Sequence, residues 1–326
     1  MTTISRRKLL TLTAGLATLP GAPPIASATT YPARSVLLLV GYAAGGPTDI
    51  CARLVSEWLS KRLGQQFVVE NRSGAGGNIA TEAAVRADPD GYTLLLVTSS
   101  NAINATLYKH LNFNFIRDIA PIAGIMQAPS VLEVNPSVPA QSITEFLAYA
   151  KANPGKINMG TAGNGSPPHM FGELFKTMTG VDLAVVGYRG GGPALVDLLS
   201  GQIQVMFEGI TSSIGYIKAG KLRALAVTSA TRSAALPNVP TIGEFVPGYA
   251  ATGWFGLGAP KNTPQPIIDT LSKEIKEALA DSTMRARFAE LGAEPMPMGP
   301  AEFGKLIDDD TEKWAQVIHT ANITMD

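Results

Sequence analysis

The sequence predicts an α/β fold of two domains, in which parallel or mixed sheets are covered by helices. Three observations carry that expectation. Short apolar runs alternate with helix-periodic stretches along nearly the whole chain. Three of those runs stop at glycine-rich bends that lead directly into helices. The chain has 326 residues, a length that suits two cores better than one even after residues 1–28 are set aside.

Those first residues read as an export signal. Ser5–Leu10 is S-R-R-K-L-L, a twin-arginine signature. An apolar stretch from Leu9 to Leu19 follows, and Ala26-Ser27-Ala28 forms a small-x-small cleavage site. The apolar run falls short of the roughly 20 residues that span a bilayer. Residues 1–28 are therefore expected to be a twin-arginine signal peptide, with the mature chain starting near Thr29 and acting in the periplasm. Its removal takes Arg6, Arg7 and Lys8 from 26 basic residues and leaves all 26 acidic ones, so the mature protein is mildly acidic. That balance carries no footprint for nucleic acid or an anionic membrane. Cys51, the only cysteine, excludes an intrachain disulfide. Beside Ile50 on a helix, it reads as a small buried residue.

In chain order, strands are expected at Val36–Gly41, Phe67–Glu70 and Thr93–Val97. Helical periodicity runs over Ala52–Leu63, opened by Thr48 and Asp49, then Ile79–Ala87 and Ala105–His110. The pattern resumes with strands at Ile157–Gly160, Leu183–Gly187, Ile203–Phe207 and Leu222–Thr228. Helices at His169–Thr179, Pro193–Leu199 and Ser212–Ala219 lie between them. Ser130–Asn135 and Thr252–Pro260 break the rhythm: no helix follows promptly, and each ends at proline. They read as the strands by which the chain leaves a first lobe and returns to it. Lobe 1 is then 29–129 with 253–326, and lobe 2 is 130–252. The amphipathic tail helices Pro264–Ala280 and Pro300–Ala321 are expected to pack back on lobe 1.

Three strand–glycine–helix junctions hold the candidate chemistry. The first runs through Tyr42, Ala43, Gly45, Gly46, Thr48 and Asp49. A tight turn before a helix start leaves several backbone N–H groups free and pointing one way, which suits an anion. With no basic side chain in the loop and no phosphate-loop lysine, the anion is best a carboxylate held by amides. The second junction, Gly160–Ser166, includes Ala162, Gly163, Asn164 and Ser166 and passes through Pro167-Pro168 to His169. The third is Tyr188-Arg189-Gly190-Gly191-Gly192-Pro193. Ligands in open α/β sheets bind beyond the strand carboxyl ends, so facing lobes would bring the three to one cleft. Ser99, Ser100, Asn101 and Asn104 follow another strand end and add neutral donors. The plain alternative is that these glycines serve only tight turns.

Side chains around the junctions have two uses each. Glu208 closes its strand, where its carboxylate would face the cleft mouth. Arg189 pairs with a ligand carboxylate or with Asp197, His169 donates to an anion or caps its helix, and Asp49 is better suited to capping than to an anionic ligand. Trp254, Phe255 and Phe171 suit core or hinge packing. The three histidines form no H-x-x-x-H pair, and there is no G-x-S-x-G elbow. Gly74–Gly77 lacks the G-x-G-x-x-G spacing of a dinucleotide site. No metal and no cofactor is expected.

The run GQQFVVENRSGAGGN (Gly64–Asn78) resembles the Bug family of extracytoplasmic solute receptors, the substrate-binding components of tripartite tricarboxylate transporters. Similar to that family are PDGYTLLL (Pro89–Leu96), GTAGNGSPPH (Gly160–His169), YRGGGPALVDLLSGQ (Tyr188–Gln202), GKLRALAVTSATRSAALPNVPT (Gly220–Thr241) and EKWAQVIHTANI (Glu312–Ile323). The resemblance implies a two-lobed periplasmic-binding-protein fold of the second type, with two crossover strands and the ligand between the lobes. It implies a ligand carboxylate gripped by Ala43–Asp49 through amides and ordered waters, with Ser99–Asn104 and Gly160–His169 completing the grip. Tyr188 and Glu208 would shape the far end. The sequence departs from the family at Gly41-Tyr42, at Ser73 and at Glu208, where aspartate is common. The longer side chain narrows that end of the pocket.

The expectation is thus a non-enzymatic, monomeric periplasmic receptor for a small carboxylate. Mono- and dicarboxylates, aromatic carboxylates and acidic amino acids are all candidates, and the partner is a membrane transporter. One alternative is a sensor that presents the same ligand to a signalling receptor. Another is a hydrolase using Ser166 and His169, which has no obvious orienting acid. Bulk at Gly46, or alanine at Ser166 and His169, is expected to weaken carboxylate binding.

Overall fold

In the computed structural model, residues 31–320 and Ile323 are described. The expected signal peptide, and Ala321 at the expected end of the last helix, lie outside the described residues. Residues 32–320 belong to one compact unit. Its first half alternates strand and helix as expected: β1 (Val36–Val40), α1 (Pro47–Leu63), β2 (Phe67–Asn71), α2 (Asn78–Val85), β3 (Thr93–Thr98) and α3 (Ser99–Leu107). Then come α4 (Phe115–Asp118), β4 (Ile119–Val134) and α5 (Ile143–Ala152). The second run is β5 (Asn158–Thr161), α6 (Pro167–Thr179), β6 (Ala184–Gly187), α7 (Gly191–Ser200), β7 (Val205–Gly209), α8 (Ile210–Lys218) and β8 (Arg223–Val227). The chain ends with β9 (Thr252–Pro260), α9 (Gln265–Ala280), α10 (Ser282–Glu290), β10 (Glu294–Pro295) and α11 (Pro300–Thr320).

The main strand order is β2-β1-β3-β9-β4-β7-β5-β6. Strands β1, β2 and β3 run parallel, as do β5, β6 and β7, while β9 and β4 join these groups through antiparallel pairing. β4 performs the transfer. Up to Pro129 it pairs with β9, and from Ser130 it lies between β7 and β8. The mixed α/β architecture of a type II periplasmic-binding fold follows from this one strand.

Two expectations about elements change. The Ser130–Asn135 strand is only the second part of β4, because the Ile119–Pro129 part is interrupted by Pro121, Gly124 and Pro129. These residues read as breakers, yet the sheet accommodates that stretch through two register shifts. Helix α3 begins at Ser99 rather than Ala105, because Thr98 and Asn101 build a capping box there.

Each half of the sheet has its own core. Leu39, Leu95, Val97, Trp254 and Phe303 pack in one, and Leu132, Phe146, Phe171, Phe175, Phe207 and Tyr249 in the other. The last helix packs on the first half as expected and also reaches the second. In α11, Phe303 and Ile307 enter the first core, whereas Trp314 and Ile318 enter the second. An amphipathic helix of 21 residues is long enough to span two cores, at 1.5 Å per residue. Trp254 packs edge-on against Phe303, and Phe171 stacks on Trp314, as packing residues should. Cys51 is buried, and burial raises its thiol pKa well above the ordinary value.

Candidate functional site

Five helices start beyond strand carboxyl ends, directly or after a short loop: α1 after β1, α3 after β3, α6 after β5, α7 after β6 and α8 after β7. Their positive dipole ends favour an anion where they converge. They surround a cavity of about 40 Å³. The first half of the sheet contributes Tyr42, Gly46, Pro47, Thr48, Thr98 and Ser100 to its wall, and β9 adds Gly253 and Phe255. The second half contributes Ala162, Pro167, Pro168, Gly191, Glu208 and Gly209, with Ala128 and Ser130 from the crossing strand.

At the first junction, Gly46 is the N-cap of α1 and Pro47 occupies its first turn. The helix therefore starts one residue before the expected Thr48. Two amides of the loop are engaged: Ala43 N donates to Arg189 O at 2.9 Å, and Gly45 N donates to Asp49 Oδ2 at 3.1 Å. Asp49 is thus a brace within the loop and not the N-cap residue. It also accepts from Arg53 and Asn71. Burial raises its pKa, but the Arg53 guanidinium, the Gly45 amide and the Asn71 amide outweigh that and hold it below the ordinary value. Tyr42 Oη donates to Gly76 O and shares a 2.5 Å hydrogen bond with Ser100 Oγ.

The other predicted residues divide between wall and scaffold. Asn101 accepts from Thr98 N and donates to Thr81, while Asn104 donates to Gly76 O and to Asn78. Ser99 is buried, and its Oγ has no partner. Ser166 caps α6 by accepting from His169 N at 3.4 Å, and His169 Nδ1 accepts from Gly165 N at 3.3 Å. With Pro167 and Pro168 in the first two helical positions, α6 offers few amides to a ligand. Burial lowers the His169 pKa. Its ring nitrogen Nδ1 is turned to Gly165 N, and Ser166 Oγ meets only the His169 backbone N–H, so the serine–imidazole contact that a hydrolase needs is not formed. Among the described residues no cluster of His, Cys, Asp or Glu suits a metal ion.

Gly163, Asn164, Tyr188 and Arg189 line a second, wider opening with Tyr42, Ala162, Tyr108 and the Gly74–Gly77 turn. Arg189 is exposed, and of its two expected uses the pair with Asp197 is not formed. Tyr188 takes that carboxylate instead, Oη to Oδ2 at 2.6 Å, and burial followed by this bond pushes the Tyr188 pKa up to about 12. Here the two halves touch through backbone. A Cβ on Gly190 would lie 2.7 Å from Ala43 N, and one on Gly192 would lie 2.3 Å from Ala44 O. Tyr108 Oη adds a bond to Asn164 O at 3.3 Å. The third junction is glycine because a facing main chain occupies the space of its side chains.

Glu208 is fully buried at the end of β7. Ser212 Oγ donates to its Oε1 at 2.8 Å, and Oε2 has no partner. Burial pushes its pKa up to about 7, against the opposing Ser212 and Gly209 hydrogen bonds. Sequence reading missed Thr98, Ser130 and Phe255 as wall residues. Only Thr98 had a legible signal, its place directly before Ser99.

Known proteins have the same plan. The description "Tripartite tricarboxylate transporter family receptor" matches residues 51–323. Protein BugT of Bordetella pertussis is 38% identical over 306 residues, covering 93% of this chain and 94% of the relative. The structure of R. palustris Rpa4515 with adipate is similar at a TM-score of 0.88 and 36% identity, covering 90% of this chain and 99% of that one. MatC (Rpa3494) from Rhodopseudomonas palustris with bound malate gives a TM-score of 0.85 at 32% identity, covering 88% and 100%. These receptors bind solutes and are not enzymes, which displaces the hydrolase alternative. The chain belongs to the tripartite tricarboxylate transporter receptor family, the Bug group of periplasmic solute-binding proteins.

Proposed function

We propose that this chain captures a small carboxylate in the periplasm, after twin-arginine export, and presents it to a tripartite tricarboxylate-type transporter. The observation that carries the reading is the cavity into which five helix starts converge without a lysine or arginine on its wall. A carboxylate there is held by amides and hydroxyls: the first turn of α1 at Gly46–Thr48, Ser100, and the first turn of α7 at Gly191. Ser166, His169, Asn101 and Asn104 hold the surrounding loops, and Tyr188 and Arg189 form the rim of the entrance. Residues 29–129 with 253–326 act as one lobe and 130–252 as the other, and they part to admit ligand. The adipate and malate of the related structures support a dicarboxylate as the ligand.

A thermal-shift screen of the mature protein against mono- and dicarboxylates, aromatic carboxylates and acidic amino acids tests the reading. Ligand at a hundredfold excess over Kd stabilises the folded state by about 2.7 kcal/mol. A shift confined to carboxylates supports capture. A folded, ligand-free protein that responds to none of them refutes it.

A further inference from the structure

Glu208 is the only ionisable carboxyl group on the cavity wall, and no basic side chain accompanies it there. Its Oε1 is held by Ser212, while Oε2 is buried without a partner. The carboxyl group lies against the start of α7, where a Cβ on Gly191 would fall 2.3 Å from Oε1. The reading that the cavity takes a carboxylate then creates a conflict. A bound carboxylate and an ionised Glu208 would put two like charges in one closed space with no cation to offset them. Two carboxylates in such a site do not both stay ionised.

The side chains around Glu208 offer it no compensating charge. Its acidic neighbour across the sheet is Glu133 on β4, one residue pair along on the same face, since Val131 lies opposite Glu208. Glu133 is itself fully buried and is bonded to Ser213 through one oxygen only. Charges on the other packed elements are engaged elsewhere. Asp49 and Arg53 of α1 pair with each other, Asp197 of α7 binds Tyr188, and His169 of α6 accepts from Gly165. Among the described residues no ion pair includes Glu208.

We propose that Glu208 enters the complex protonated and donates from Oε2 to an acceptor oxygen at the far end of the ligand, so that the receptor takes up a proton with each carboxylate it binds. This rests on the carboxylate reading and narrows it. The ligand class is an acid with a second carboxylate, hydroxyl or carbonyl oxygen at its far end. An amino acid whose ammonium group reached Glu208 would instead keep that carboxylate ionised. The raised Glu208 pKa accords with a proton that is readily gained near neutral pH. Because the complex holds the proton more tightly than the free protein, affinity is lost as pH rises past about 7 and is level below it.

Isothermal titration calorimetry of the mature wild-type protein with adipate, malate and aspartate, in two buffers of different ionisation enthalpy, counts the protons. Between pH 7.5 and 8.5 both dicarboxylates are almost fully ionised, so a proton taken up belongs to the protein. The expected result is uptake approaching one proton per adipate or malate at the alkaline end, with affinity falling by about tenfold per pH unit above pH 7. In E208Q the dependence on pH should vanish. The count is made on wild type, so a misfolded variant would not spoil it. Dicarboxylate binding without proton uptake, or a preference for aspartate that grows with pH, overturns the proposal while leaving carboxylate capture intact. If folded, ligand-free protein binds none of the three at any pH, capture of these acids and the proton both fall.

Discussion

Helices α1 and α6 begin in nearly the same way and end up with different capacities. Each follows a strand and a glycine-rich bend, and each has proline at its start. At α6 the prolines remove two donors, and Ser166 accepts the amide of His169. At α1 a single proline follows an N-cap glycine that has no side chain to accept anything. The brace of the α1 loop is Asp49, which points back to Gly45 and leaves the helix start facing the cavity. A helix N-terminus is therefore a potential anion site only after its amides have been counted.

The comparison can be broken most severely at Gly46. A Cβ there would meet Gly191 and Gly192 nitrogens at 3.5 Å, so the branched side chain of Gly46→Val would strike the facing loop. Its φ of −86° suits any residue, and the protein should fold. Carboxylate affinity measured by calorimetry should fall by about 100-fold, equivalent to roughly 2.7 kcal/mol. Retained affinity would remove α1 from the site. Next comes Asp49→Ala, which releases Gly45, Arg53 and Asn71 together. Denaturant unfolding should show a loss of about 2 kcal/mol, with binding weakened as well.

Ser166→Ala tests the opposite helix. Loss of an N-cap serine should lower stability by about 1 kcal/mol and change affinity by less than about threefold. A larger change in affinity would assign the carboxylate grip to α6. The smallest expected effect is acid sensitivity. Asp49 is held below its ordinary pKa, so its contribution is present above the unfolded value of 3.8 and is lost as pH falls through the folded one. In that acidic window the stability gap between wild type and Asp49→Ala should narrow, whereas the gap for Ser166→Ala should not. Parallel urea titrations at pH 6 and pH 3.5 would show it.

The junctions were legible because glycine and proline mark backbone that cannot continue a strand. The Gly45-Gly46, Gly163 and Gly190–Gly192 bends all stand where expected. Which amides they leave open was not legible, since that depends on distant acceptors such as the Arg189 carbonyl, far along the chain from Ala43. The first part of β4 was hidden by Pro121 and Pro129, which an irregular edge of pairing absorbs. Helix α5 left a usable sign that the periodicity reading passed over: Ser142 accepts from Glu145 N, and Glu145 accepts from Gln141 N. The position of Glu208 beside a cavity was legible from its strand end. That one of its oxygens would lack a partner needed three dimensions.

Helix α11 has a consequence for how the molecule melts. Its first turns anchor Phe303 and Ile307 in one core, and its last turns anchor Trp314 and Ile318 in the other. Neither half of the sheet can lose its core without releasing one end of that shared helix. Cooperativity therefore extends across both halves, and heating should give a single calorimetric transition rather than two.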